Sequence, residues 1–291
     1  MDDGEQNRLG EYLRARRDLV TPEQAGIAAG ANRRVSGLRR EELALLAGIS
    51  ADYYLRLERG RDRNPSPQVL QSLARVLDLD DVETEYLLSL GTPHLKRRRR
   101  QRRAERVPER LHHLLAALEV PAFIEGRYFD VLGSNDLAAA FSPRLTPGHN
   151  RLLSLLLDPE ERQFHADWDT ACADAVAAFR NFIGNDSTDP RAVELVGELT
   201  LASARFRQLW ERHDVRRLAG GTTTVNHPTV GPLHLHREKL PVEDVVLVLY
   251  YPDIHSDSAT KLNLLASLRS SPSPAEHPSN TTKPDSGRAE A

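Results

Sequence analysis

The sequence predicts an α+β chain in two parts: an all-α domain of five helices, then an α+β domain built on an antiparallel sheet. Three observations carry this. Apolar residues recur at helical spacing through the first ninety or so residues, punctuated by cap and stop signals. Strand-like runs occur only later, around a mostly helical middle. The charge is also divided. Residues 1–108 carry 21 Lys+Arg and 17 Asp+Glu, whereas the remainder carries 18 and 25, so a formal net charge of -3 hides a basic front and an acidic back. The expected divisions are residues 1–92 for the first domain, 93–108 for a basic linker, 109–270 for the second domain and 271–291 for a tail.

The helices of the first part follow in order. LGEYLRARR (9–17) places Leu9 and Leu13 on one face. Residues 18–37, with three glycines, a proline and Arg33-Arg34, read as an irregular connection. RREELALLA (39–47) reads as a helix ended by Gly48, and ADYYLRLER (51–59) as one ended by Gly60. Ser66-Pro67 is a cap followed by proline at the first helical position, and Val69, Leu70, Leu73, Val76 and Leu77 form the stripe of the helix it starts. A short helix over about 82–90 completes the five.

The second part opens with the helix PERLHHLLAAL. Two short strands are expected at PAFIE and YFDVL, joined by Gly126-Arg127. Long helical stretches at 160–183 and 190–213 follow, then strands at Thr222–Asn226, Gly231–Glu238 and Asp244–Tyr251, and a closing helix at about 259–268. From Ser271 the chain is Ser, Pro, Thr, Asn and charge, a composition that cannot bury a core and predicts disorder.

Composition narrows the class. No apolar run approaches the roughly 20 residues of a membrane span, and the acidic, polar start does not read as a secretory signal. Cys172 is the sole cysteine, so an intrachain disulfide and a cysteine zinc cluster are both excluded. A cytoplasmic protein without a membrane partner is the expectation.

The sharpest motif is LRREELALLAGISADYYLRLERGR, residues 38–61. Two short helices are separated by Ala47-Gly48-Ile49-Ser50. Gly48 suits the left-handed stop of the first helix, Ile49 the angle between the two, and Ser50 the cap of the second. Such an angled pair places its second helix in the major groove of double-stranded DNA. Tyr54 and Leu57, three apart, should face the core. Ala51, Asp52 and Arg56 then lie on the other side, with Tyr53 at the edge. Arg56 suits a bidentate contact to guanine O6 and N7, a pairing that discriminates by about 1–3 kcal/mol. Ala51 suits a thymine methyl. Asp52 suits either a cytosine amino group or the positive end of the helix dipole. Arg39 and Arg40 begin the preceding helix, where phosphate contact is favoured over a merely solvated helix end. With Ser50, Arg59 and Arg61 these residues form the candidate DNA-contacting set.

LRREELALLAGIS, YYLRLERG and the Pro-Ser-Pro start of the next helix resemble the Xre/Cro-type helix-turn-helix transcriptional regulators. In that family a phosphate-binding glutamine usually stands where this chain has Arg40. An arginine late in the first helix pairs with a glutamate late in the recognition helix, so the resemblance gives Arg17 and Glu58 a structural role. The insert at 18–37 resembles one subgroup, the regulators with a C-terminal MmyB-like ligand-binding domain. PAFIEGRYFDVLGSN, HNRLLSLLLDPEER, the Trp168 segment, SARFRQLWERHDV and NHPTVGPLHL follow in that subgroup's order, so the resemblance covers roughly residues 9–268. It implies a PAS-like second domain, with helices over one face of the sheet, enclosing a small apolar or fatty-acyl-like ligand and needing no other cofactor. Ser134 departs from the subgroup, which usually has tryptophan there.

Phe123, Phe129, Asn135, Phe141, Trp168, Phe206 and Trp210 are the candidate ligand-contacting residues, set against ordinary core packing. His227, His234 and His236 raise a metal reading, since His234 and His236 share a strand face, but no acidic residue or cysteine completes a set. Cys172, in an Ala-rich helix, reads as inert. The run Lys96–Arg103 reads as an auxiliary phosphate contact, a solvated linker or a loose nucleic-acid contact. The function expected is sequence-specific, ligand-modulated DNA binding by a homodimer, without enzymatic activity. The alternative is a metabolite- or lipid-sensing enzyme or binding protein with the helix-turn-helix as an accessory; no serine triad, phosphate loop or paired-carboxylate signature supports catalysis.

Overall fold

The computed structural model describes residues 7–28, 33, 35–62, 64–91, 105–184, 189–217 and 219–270. The run Lys96–Arg103, most of the expected linker and the expected tail lie outside the described residues.

The N-terminal helices are α1 (Arg8–Leu19), α2 (Arg40–Ala47), α3 (Ala51–Glu58), α4 (Pro67–Val76) and α5 (Asp81–Gly91). They enclose one core containing Leu9, Tyr12, Leu13, Leu43, Tyr54, Leu57, Leu70, Leu73 and Leu87. The α2–α3 turn forms for the reasons its residues suggest. Gly48 takes φ +71, Ile49 packs against the core, and the Ser50 hydroxyl accepts from Tyr53 N at 3.1 Å. Ser66 caps α4 in the same way, with Pro67 behind it. Gly10 answers a different need. A Cβ there would lie 2.1 Å from the Glu58 carbonyl oxygen, so α1 and the end of α3 approach each other backbone to backbone.

The second part runs α6 (Glu109–Ala117), β1 (Ala122–Glu125), β2 (Val131–Ser134), α7 (Asp136–Phe141), α8 (Arg151–Leu157), α9 (Pro159–Phe164), α10 (Trp168–Ile183), α11 (Pro190–Ala202), α12 (Ala204–Glu211), β3 (Gly221–His227), β4 (Gly231–Val242), β5 (Val245–Tyr251) and α13 (Asp257–Ser270). The strands form one sheet in the order β2-β1-β5-β4-β3, every neighbouring pair antiparallel. The α+β class and antiparallel sheet read from the sequence are those of the structure.

Three local expectations need correction. The second strand starts at Val131, so only the last two residues of YFDVL belong to it and it runs on to Ser134. Residues 126–130 make a turn, with Gly126 N donating to Asp130 O and Phe129 held at φ 68. The long stretch at 160–183 is two helices, because His165 forms a bridge with Val225 of β3 and Asp167 then caps α10 anew. The stretch at 190–213 likewise breaks at Ser203, whose hydroxyl caps α12. Helices also cover both faces of the sheet rather than one. Phe123, Val131, Val225, Leu233, Leu235, Val248 and Tyr250 face Ala138, Phe141, Leu262 and Leu265 of α7 and α13. Ala122, Ile124, Val245 and Leu247 face Leu111 and Leu115 of α6. Alternation along the strands sends these two sets to opposite sides.

Asn135 ties the first strands to the helices. Its Oδ1 accepts from Ala138 N and Ala122 N, at 2.9 and 3.1 Å, and its Nδ2 donates to Val120 O and Leu118 O, at 2.8 and 3.2 Å. One side chain thus caps α7 and holds the approach to β1. Asn135→Ala removes the cap and strands buried backbone groups; it should lower the unfolding free energy by about 2 kcal/mol or more in a denaturant titration.

Candidate functional site

The exposed side of α3 and the start of α2 carry the predicted DNA-contacting residues together. Tyr54 and Leu57 are fully buried, so the opposite side of α3 must face outwards. Ala51, Asp52, Arg56, Arg59 and Arg61 are exposed, as are Arg39, Arg40 and Ser50, with Tyr53 at the margin. Arg56 Nη1 donates to Asp52 Oδ2 at 2.5 Å, and its guanidinium lies 5.5 Å from the Tyr53 ring centroid. Both charged side chains are solvated, so opening this i,i+4 pair costs about 1 kcal/mol or less. Asp52 therefore holds Arg56 on the exposed side without trapping it.

The base of this surface is a buried carboxylate. Glu58 accepts from Arg17 Nε at 2.8 Å and from Arg40 Nε at 2.5 Å, and Arg17 also donates to the Leu38 carbonyl at 2.8 Å. The Arg17–Glu58 pair implied by family resemblance is present. The second partner, Arg40, was not anticipated, because α2 and α3 positions far apart in sequence give no local signal. Arg40 keeps its side chain half exposed while pairing. Burial would raise the Glu58 carboxyl, but the hydrogen bonds from Arg40 and Arg17 outweigh it and hold the group below the usual carboxylate range.

The insert before α2 is also fastened by charge. Arg33 donates through both terminal nitrogens to Glu42, at 2.7 and 2.8 Å, and to Gly37 O at 2.8 Å. Glu42 accepts from Arg39 N at 2.7 Å, and the Arg33 hydrogen bonds carry its carboxyl down to about 2. The turn between α1 and α2 is thereby stapled to the first turn of α2.

In the second part, the aromatic candidates fall into two groups. Phe129, Trp168, Phe206 and Trp210 belong to the helical core, where Phe206 and Trp210 stack at 5.2 Å and Phe129 meets Phe179 edge-on at 6.1 Å. Phe123 and Phe141 belong to the sheet-facing core and converge on Tyr250. Trp168 spends its Nε1 on Leu155 O at 2.7 Å, and Asn135 is fully engaged with backbone. A surface groove lined by Ile49, Gln68, Val69, Ser72 and Arg75 contains none of these aromatics.

A charged group missed by the sequence reading stands between the two aromatic groups. Lys239 donates to Glu125 at 2.6 Å, with the two side chains 6% and 2% exposed. Lys239 Nζ lies 5.5 Å from the Phe129 ring, and Arg151 lies 5.1 Å from the Phe123 ring while donating to the Tyr250 hydroxyl. Burial pulls the Lys239 ammonium down to about 8, opposed by Glu125. Glu125 Oε2 and Arg237 Nε have no hydrogen-bond partner among the described residues. The signal available in the sequence was strand alternation, which puts Glu125 on the same side as Phe123.

The three histidines do not converge. His227 uses Nε2 on Ala140 O and accepts at Nδ1 from Thr229 N and Val230 N. Its strand parity places it on the face opposite His234 and His236. His234 pairs with Thr224, and His236 with Asp253, an acidic partner not foreseen. Among the described residues no group of three or more His, Cys, Asp or Glu is arranged to hold a metal ion. Cys172 is buried, and burial pushes its thiol up to about 12.

A capped, angled helix pair with an exposed cationic side, followed by a mixed sheet-and-helix domain, defines a helix-turn-helix protein with an appended second module. Residues 8–87 match a helix-turn-helix domain, and residues 107–265 match the MmyB-like transcription regulator ligand binding domain. The latter match spans more than half of the chain, which belongs to the MmyB-like transcription regulators. No curated protein matches the chain. Among the described residues no helix is long and apolar enough to cross a membrane.

The Glu58 carboxyl, depressed in the folded state, contributes stability that is present above its unfolded value and is lost as pH falls through the folded one. Stability of the wild-type chain should therefore decline on acidification below the ordinary carboxylate range, and Glu58→Ala should flatten that part of the profile. The same variant removes the buried partner of Arg17, which keeps only the exposed Asp18 carboxylate and the Leu38 carbonyl, and should cost about 3 kcal/mol in chemical denaturation.

Proposed function

We propose that this chain is a sequence-specific double-stranded DNA-binding transcriptional regulator. The single observation that carries the reading is the solvent-facing set Arg39, Arg40, Ala51, Asp52 and Arg56 on a capped helix-turn-helix whose opposite side is core. Arg56 reads guanine, released from Asp52 on contact, and Arg39 and Arg40 hold phosphate at the start of α2. Tyr53, Arg59 and Arg61 flank the groove. Ser50 acts through its cap on α3. A single module of this size covers few base pairs, so the protein works as a homodimer on half-sites about 34–36 Å apart. It is non-enzymatic and acts in the cytoplasm.

The second domain acts as the sensor. A small apolar, fatty-acyl-like ligand is received among Phe123, Phe129, Phe141, Phe206 and Trp210, and it changes DNA affinity by favouring one arrangement of the chain over another. The family assignment and the aromatic content of the two cores support this reading.

Wild-type protein should prefer its own promoter region to random DNA in an anisotropy titration, and equal affinity for both would refute the DNA reading. Arg56→Ala should lose affinity for the preferred site by about tenfold to a hundredfold while binding random DNA nearly as before. Native mass spectrometry of freshly purified protein should show an apolar adduct, diminished in Phe206→Ala; a bare chain from several expression hosts would count against the sensor reading.

A further inference from the structure

The two matched modules are not packed as strangers. After α12 the chain leaves the sensor domain, crosses to the helix-turn-helix bundle at residues 213–217, and returns to begin β3. His213 starts this strap with φ 55, a backbone region that costs a non-glycine residue energy unless its surroundings enforce it. Val215, 3% exposed, is part of the five-helix core itself. Arg16 of α1 donates to His213 O at 3.1 Å and pairs with Asp214 at 3.4 Å and with Glu83 of α5 at 2.9 Å. Arg217 reaches Glu85 of α5 at 2.6 Å, and Arg8 of α1 reaches Gly184 O, just past α10, at 2.5 Å.

The other side of the strap is held by the sensor core. Arg180 of α10 donates to the Trp210 carbonyl and to His213 Nδ1, the latter at 3.1 Å, and its guanidinium stands 3.8 Å from the Trp210 ring centroid. Arg216 N donates to Ala177 O at 3.3 Å. Trp210 stacks on Phe206. His213 thus lies between two guanidinium groups, one from each module. Burial, Arg180 and Arg16 push its imidazole down to about 4, so it is neutral near pH 7 and free to accept from Arg180. Arg39, Arg40 and Arg56 take no part in this contact and remain exposed.

We propose that residues 213–217 are a coupling strap, through which the position of Trp210 in the sensor core sets how firmly α1 and α5 of the helix-turn-helix are held. The contact does not cover the exposed side of α3; it acts on the opposite supports of that helix. A ligand that displaces Trp210 would move Arg180 and His213, and with them the anchorage of Arg16 and Val215. A dimer reading two half-sites depends on the orientation of each helix-turn-helix, so a change in anchorage changes fit to DNA. That regulatory meaning rests on the function proposed above, whereas the coupling itself does not.

The test is hydrogen–deuterium exchange on the full chain without DNA or ligand, comparing wild type with Trp210→Ala, Arg180→Gln and Val215→Ser. Trp210→Ala lies outside the five-helix core, yet it should speed exchange in α1 and α5 by about tenfold while leaving β4 and β5 unchanged; Arg180→Gln should do so as well, but it also removes a direct hydrogen bond to Tyr86 of α5. Val215→Ser should do the same directly. Acceleration in Val215→Ser, with or without Arg180→Gln, but not in Trp210→Ala would overturn the proposal, because the strap would then be a packing contact that transmits nothing. Unchanged exchange in all three would overturn it as well. If Trp210→Ala also loosens β4 and β5, the smaller change Trp210→Phe decides in its place. Since no DNA is present, the result is independent of whether Arg56 reads bases.

Discussion

Glu58 is a carboxylate taken out of water at the centre of the helix-turn-helix, and the geometry of the exposed surface depends on it. A buried charge is tolerated only when its partners are fixed. Here the partners come from α1 and α2, so the end of α3 is positioned by two other helices at once. Arg17 passes the constraint on to the Leu38 carbonyl, just before α2, and the close approach at Gly10 leaves α1 little freedom to slide along α3. The arrangement explains why the side of α3 bearing Arg56 is presented rigidly although it makes almost no contacts of its own. Arg40, pairing with Glu58 while half exposed, belongs to both the support and the surface.

The sensor domain poses the opposite problem. Its sheet is covered on both faces, and most of its interior is aliphatic and aromatic, yet Glu125, Lys239 and Arg151 lie inside it beside Phe123 and Phe129. Such a group is costly to bury and is only partly satisfied by its internal partners. Phe129, held at a positive φ beside it, is a second departure from relaxed geometry in the same place. Both departures lie where the sheet meets the helical half.

Much of the fold was legible because local physics sufficed. The glycine stop at 48, the serine caps at 50 and 66 and the stripes of α1 and α4 are short-range signals, and they placed the five helices within a few residues. The same signals located the exposed side of α3, since burying Tyr54 and Leu57 leaves only one outward direction. Errors arose where distant contacts overrode continuity. The helical pattern through 160–183 is interrupted because His165 pairs with a strand sixty residues later. YFDVL has strand composition, but its first residues are needed for the turn that lets β2 lie against β1.

The sequence by itself determined the class of the chain, the helix-turn-helix and the residues that face outwards from it, because capping and periodicity act over a few residues. Only the tertiary structure decided that Arg40 shares Glu58, that Asn135 serves the backbone, that a lysine and two other charges sit inside the sheet domain, and that Val215 completes the core of the other module. Each of these joins residues far apart along the chain. Which buried charge meets which partner depends on how the elements pack, and that packing is set by the sum of many weak apolar contacts rather than by any one stretch of sequence.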